Sequence, residues 1–179
     1  MDPDPVVAMA WVHSAVAEGA DIVELPSVAP FVAPFVATVR DAYPELVIAV
    51  RTGSEEVARE ACAAGADLLL SGLLAGVAAE FGVGVVGSLA EALAAGVAAE
   101  RVIVEGSGPV ADLVASGWPV LVSLADPDLA GDLARAAVFG WLGVRVFRVG
   151  RVRETRRALT MVSAIRGDVP PAYAVRGLA

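Results

Sequence analysis

At 179 residues the chain is long enough for one domain with a real core and short for two. Hydrophobic residues make up 57% and charged residues 19%, rich even for a fully buried parallel sheet, whose strands read as continuous apolar runs. Thirteen basic against 21 acidic residues give a net charge of −8, a surface expected to repel nucleic acid phosphates and anionic lipid, so no nucleic-acid partner is expected.

The sequence contains no Lys, no Asn and no Gln, and every basic residue is Arg. Such a composition reads as codon bias in a GC-rich genome. Whatever its origin, chemistry that needs a Lys ammonium or an Asn amide is excluded.

From the N-terminus, Met1-Asp2-Pro3-Asp4-Pro5 is acidic and lacks the basic start of a secretory signal, so a cytoplasmic protein is expected. A helical stretch carrying Trp11 and His13 follows and stops at Gly19. His13 reads as a helix-surface residue, and Trp11, Trp118 and Trp141 as core packing. Apolar, β-branched runs then recur at residues 21–25, 46–50, 67–71, 83–87, 101–105, 119–124 and 144–149. Between them lie segments rich in Ala, Leu, Glu and Arg, which are good helix formers. This alternation predicts βαβ units and a parallel sheet.

The punctuation agrees. Gly19, Gly65, Gly82 and Gly117 each stand where a helix should end, because glycine suits the left-handed position after the last turn. Ser54 before Glu55 and Glu56 reads as an N-cap, and Pro109 after Gly108 as a first-turn proline. Cys62, the only cysteine, can form no intrachain disulfide or cysteine metal cluster, and reads as a small buried helix residue rather than a nucleophile. With one His and one Cys, no metal site is expected. The apolar stretch 68–79 is only about half the ~20 residues of a membrane span. No linker or change of composition divides the chain, which predicts a single domain over residues 1–179. No Gly-x-Gly-x-x-Gly follows a strand, which removes the best-known signature of a doubly wound sheet. Periodicity alone leaves an open sheet and a closed barrel both standing.

The order of local phrases resembles the dihydropteroate synthase family over nearly the whole chain. Residues 4–25, with Glu-Gly-Ala-Asp-Ile-Val-Glu, look like that family's first helix and second strand. Residues 47–52 followed by Glu56-Val57-Ala58 look like its third strand, and residues 64–71 like its fourth. Residues 95–105 resemble the approach to the sixth and residues 117–124 the seventh. Residues 144–165, with Arg-Val-Phe-Arg-Val-Gly-Arg-Val-Arg-Glu-Thr-Arg-Arg-Ala-Leu, are the most specific part and resemble the eighth strand and last helix. The resemblance implies a parallel (β/α) TIM-like barrel whose site lies at the C-terminal strand ends. Seven strands are recognisable, and the family's first strand with its loop is missing.

The reaction implied joins p-aminobenzoate to a pterin-CH2 diphosphate and expels diphosphate. A buried pterin needs its donors and acceptors matched, and a departing diphosphate needs cations where charge develops. Against that pattern, Arg51 stands where Asp is expected and residues 68–71 supply no Asn or Asp. Glu105 replaces an Asp, the seventh strand has no Lys, and the His of the final Arg-x-His is Gly150. Arg148, Thr52 and Glu105 are the remnants. No catalytic residue and no cofactor is assigned.

The ligand-binding candidates are Arg148, Glu105, Arg51, Glu24, Thr52 and Ser107. Arg148 competes with a reading as a core arginine paired to a carboxylate, and Glu105 carries an extra methylene where a pterin edge would sit. Ser107 lies in a Gly-rich turn that offers backbone N–H groups to a phosphate. Arg151, Arg153, Arg156 and Arg157 read as a solvated helix face with local pairs such as Glu154, or as an anion site. Glu24, Arg51, Glu105 and Arg148 all fall near C-terminal strand ends, two acids and two bases. The expectation is that at least one of Glu24 or Glu105 pairs with Arg51 or Arg148 and closes the old pocket, since unpaired charges there are costly.

The leading reading is a catalytically inactive family member with a binding or regulatory role, a homodimer through the apolar helix at residues 130–141. Its rivals are an active pterin-dependent enzyme, either the synthase or a pterin-binding methyltransferase relative, and a small anion- or metabolite-binding protein. A pterin-like or anionic small molecule is the partner class expected. For the sheet, a contracted seven-strand closure is expected, residues 21–25 pairing directly with 144–149.

Overall fold

The computed structural model describes residues 5–26, 31–105 and 108–168. Seven strands appear, all parallel and in sequence order across one sheet. They are β1 Ile22–Pro26, β2 Val47–Arg51, β3 Leu68–Leu69, β4 Gly84–Gly87, β5 Val102–Glu105, β6 Val120–Leu124 and β7 Val146–Val149. The intervening helices are α1 Pro5–Ala17, α2 Val32–Ala42, α3 Glu55–Ala63, α4 Ala75–Phe81, α5 Leu89–Ala94, α6 Val110–Ala115, α7 Leu129–Leu142 and α8 Val152–Arg166.

The helix stops follow from backbone sterics. Gly19, Gly65, Gly82 and Gly117 all have positive φ, as expected of residues that turn a helix back into a strand. The starts of α3, α5 and α7 are capped by side chains. Ser54 accepts from the Val57 N–H, and Asp128 accepts from Ala130 and Gly131 N–H at the head of α7. Pro109 sits one position earlier than expected, at the N-cap of α6, where its φ of −58° leads into the helix without a donor being lost. β3 is two residues rather than five, because the chain passes at once into a 3-10 turn at Gly72–Leu74, with Ser71 at the position before it.

Alternation along the strands separates two packed regions. Val23, Leu25, Ile48, Val50, Leu69, Val85 and Val102 face the helices and join the main core with Val36, Val39 and Ala58. The opposite parity faces the concave side, where Ala49, Leu68, Leu70, Val86 and Leu121 form a second cluster with Ile22, Ile103 and Val146 against it. Each large side chain fully buried in this way stabilises by roughly 1.5–3 kcal/mol.

The sheet curls but does not close. Six ladders join consecutive strands, and among the described residues none joins β7 to β1, which corrects the expected seven-strand closure. Strand number, tilt and stagger are linked in a barrel, and side chains filling the concave face set the curvature per strand. Ile22, Leu68, Ile103, Leu121 and Val146 occupy the concave face of the open sheet.

Two expectations about aromatic residues also change. Trp11 is 76% exposed and Trp141 55% exposed, so neither is core. α1 buries only Val12, and α7, whose last turn carries Trp141, buries only Ala136. Helical periodicity could not locate that face in helices that are apolar nearly all round. His13 is on the helix surface as expected, hydrogen-bonded to the Tyr43 hydroxyl.

Candidate functional site

The concave face changes character toward the C-terminal strand ends. Two residues beyond the apolar positions Ile22, Ala49, Ile103, Leu121 and Val146 come Glu24, Arg51, Glu105, Ser123 and Arg148, on the same parity and hence the same face. An apolar floor thus carries a polar rim at the end of the sheet where the sequence placed its candidates.

Three of those side chains converge. Arg148 on β7 donates to both carboxylate oxygens of Glu24 on β1, Nε to Oε2 at 2.5 Å and Nη2 to Oε1 at 2.6 Å. Arg51 on β2 donates from Nε to Glu24 Oε1 at 3.1 Å. One carboxylate therefore holds two guanidiniums, one of them in the two-pronged geometry that makes such pairs strong. The expected pairing of a rim acid with a rim arginine is present, and Glu24 makes both contacts.

The other candidates do not join the group. Glu105 ends β5 as an exposed residue with no ion pair among the described residues. Thr52 turns its hydroxyl to its own loop, where Oγ1 accepts from the Ser54 N–H at 3.1 Å and helps to set up the α3 cap. Ser107 lies outside the described residues. Ser123, opposite Arg148 in the β6–β7 register, is a rim residue that sequence reading missed. Its signal was its spacing of two from Leu121.

The arginines of α8 behave differently from the local face expected. Arg156 Nη1 donates to Asp21 Oδ2 at 2.9 Å and to the Gly19 carbonyl at 2.6 Å, and Arg153 lies 3.9 Å from Glu18. Their partners are on the α1–β1 turn, not at Glu154. The helix reaches the start of β1, and such long-range neighbours are invisible to spacing rules. Glu18, Arg153, Arg156, Arg157 and Thr160 line a shallow hollow of about 350 Å³ there.

Cys62 is buried on α3, and its thiol is pushed up to about 11 by burial and then by the Glu80 charge, so it is neither exposed nor activated. No cluster of metal-binding side chains occurs among the described residues, and no helix among them is long and apolar enough to cross a membrane.

No protein-family model matches the chain. Relatives are nevertheless clear. The protein named inactive dihydropteroate synthase 2 of Mycobacterium tuberculosis is 34% identical over 248 residues, covering 94% of this chain and 78% of the relative. That matched span exceeds the length of this chain, so the relative carries stretches inside it that are missing here. The solved Rv1207 structure of Mycobacterium tuberculosis is 37% identical, with a TM-score of 0.83 over 93% of this chain and 90% of the other. A Yersinia pestis dihydropteroate synthase, solved with a pterine-sulfa conjugate, superposes with a TM-score of 0.79 over 92% of this chain and 90% of the other. At 19% identity that last likeness speaks to the fold alone.

Proposed function

The chain belongs to the dihydropteroate synthase family, and we propose that it is a catalytically silent member with a binding or regulatory role. The observation that carries this reading is the state of the rim. The Glu24 carboxylate, on the face where a substrate would be held, is taken up by Arg51 and Arg148. Arg148 is the family remnant best suited to an anion, and two of its donors are spent on the protein itself. A chain with no Lys, Asn or Gln cannot replace the missing recognition elsewhere on the rim. The name of the Mycobacterium tuberculosis relative, an inactive synthase, supports the same conclusion.

In this reading the 179 residues act as one domain in the cytoplasm. The protein self-associates through α7, where Val138, Trp141 and Leu142 are 57%, 55% and 42% exposed. A pterin-like or anionic small molecule is the ligand class for what remains of the mouth. The second reading, a small anion binder, draws on Arg51, which among the described residues uses only Nε and leaves both terminal nitrogens open.

Calorimetric titration of the purified protein with pterin-CH2 diphosphate, p-aminobenzoate and inorganic phosphate separates these readings. A silent member forms no dihydropteroate; one that serves only as an interaction subunit binds none of the three, and one that keeps a ligand at the mouth binds the pterin or the phosphate. Phosphate binding lost in Arg51→Ala would favour the anion binder. Dihydropteroate formation abolished by Arg148→Ala would overturn the inactive reading.

A further inference from the structure

We infer that the seam between β1 and β7 is an electrostatic latch, closed by side chains in place of a backbone ladder and released when its charges are screened or removed. Every other join in the sheet has a ladder, of two to five residue pairs. Among the described residues this one has no ladder and four side-chain links. On the concave side Arg148 grips Glu24 through two hydrogen bonds. On the helix side Arg156 holds Asp21 and the Gly19 carbonyl, while Arg153 approaches Glu18.

The links are sorted by sign. All the cations belong to β7 and α8, and all the carboxylates and the carbonyl to the end of α1 and the start of β1. Arg51 adds a second guanidinium to Glu24 from the β1 side of the gap and steadies that carboxylate against its own sheet. The two ends of the one sheet therefore meet across the seam through paired opposite charges. These groups are partly exposed, with Arg148, Arg153 and Arg156 side chains at 41%, 58% and 53%, so mobile ions can reach them. Solvent-exposed pairs of this kind are individually weak and screened by salt.

The latch also guards two strand edges. Among the described residues β1 and β7 each keep a row of backbone groups without a ladder on the seam side, and folded proteins protect such edges with charged side chains. The sheet can flex to open it, because β3 is joined to each neighbour by only two residue pairs. The inference does not depend on whether the rim binds a ligand.

The test is a distance measurement between spin labels on either side of the seam, at Ser14→Cys on α1 and Ala164→Cys on α8, both exposed positions. Cys62 is buried with its thiol pushed up to about 11, which leaves labelling to the introduced cysteines. A control pair at Glu56→Cys and Ala90→Cys spans laddered strands. At low salt a single short distance is expected. In about 1 M NaCl, where screening acts over about 3 Å, a second population should appear. It should be longer by about 5 Å, one strand spacing, with the control pair unchanged. Glu24→Gln and Arg148→Met should give the same second population at low salt. If either fails to fold by circular dichroism, the salt series on the native clamp decides alone. An unchanged seam distance in high salt, or equal lengthening of the control pair, would overturn the latch.

Discussion

At the residue scale, the Glu24 cluster and Cys62 show how local environment decides what a side chain can do. Removing the Glu24 charge leaves two guanidiniums without their carboxylate, but Arg51 and Arg148 are 43% and 41% exposed and water replaces much of the loss. Glu24→Gln should therefore cost only about 0.5–1 kcal/mol in urea unfolding, in the range of exposed pairs. A loss of several kcal/mol would mean that the rim is drier than its exposure indicates. For Cys62, the folded state holds the thiol proton more tightly than the unfolded chain, whose ordinary value is 9.0. Its contribution to stability is complete below that value and is lost as pH rises from there through about 11. Unfolding free energies at mildly and strongly alkaline pH should accordingly fall less steeply in Cys62→Ala than in the parent protein. Iodoacetamide should leave the folded thiol largely unmodified at neutral pH.

At the element scale, glycine positions separate tight packing from open space. A Cβ on Gly87, at the end of β4, would sit 2.6 Å from the Gly72 backbone, where neither side can yield cheaply. Gly76 lies inside α4 with nothing within 4 Å of its Cβ direction. Gly87→Ala should destabilise by about 1–3 kcal/mol through overpacking. Gly76→Ala should stabilise by about 0.4–1 kcal/mol through helix propensity and a less flexible unfolded chain. Thermal melts of the two variants in parallel make the comparison, and a shift in the same direction for both would contradict it. Asp128→Ala, which strips two N–H partners from the head of α7, should cost about 1 kcal/mol by the same measurement.

At the scale of the whole molecule, exposed apolar side chains concentrate on the outer helices. Val138, Trp141 and Leu142 on α7 and Met161 and Ile165 on α8 are 42–66% exposed. The two helices are tied together at their ends, where Arg166 donates to the Gly140 and Trp141 carbonyls at 3.0 and 2.8 Å. Arginine near those terminal carbonyls also suits the negative end of α7. A dimer formed here would bury Trp141 at its centre, as aromatic anchors often are. Light scattering at micromolar concentration should give twice the chain mass, and Trp141→Asp should return it to the monomer mass. A strictly monomeric parent protein would reject the dimer.

The seven strands, their order along the chain and the glycine stops could all be read from residues, because each depends on neighbours within one turn or one strand. β-branched runs need burial on both faces, and Gly19, Gly65, Gly82 and Gly117 answer a local backbone requirement. The rim was partly legible for the same reason: strand periodicity puts Arg51 and Glu105 at strand ends whatever surrounds them. What spacing could not supply were contacts between distant segments. That Glu24 rather than Glu105 takes both arginines depends on which strands the curl of the sheet brings face to face. That Arg156 finds Asp21, 135 positions away, depends on where α8 lies against β1. Whether the sheet closes was likewise not encoded in any strand. Curvature is a collective result of the whole sheet, and among the described residues it leaves β1 and β7 joined by charge instead of by a backbone ladder.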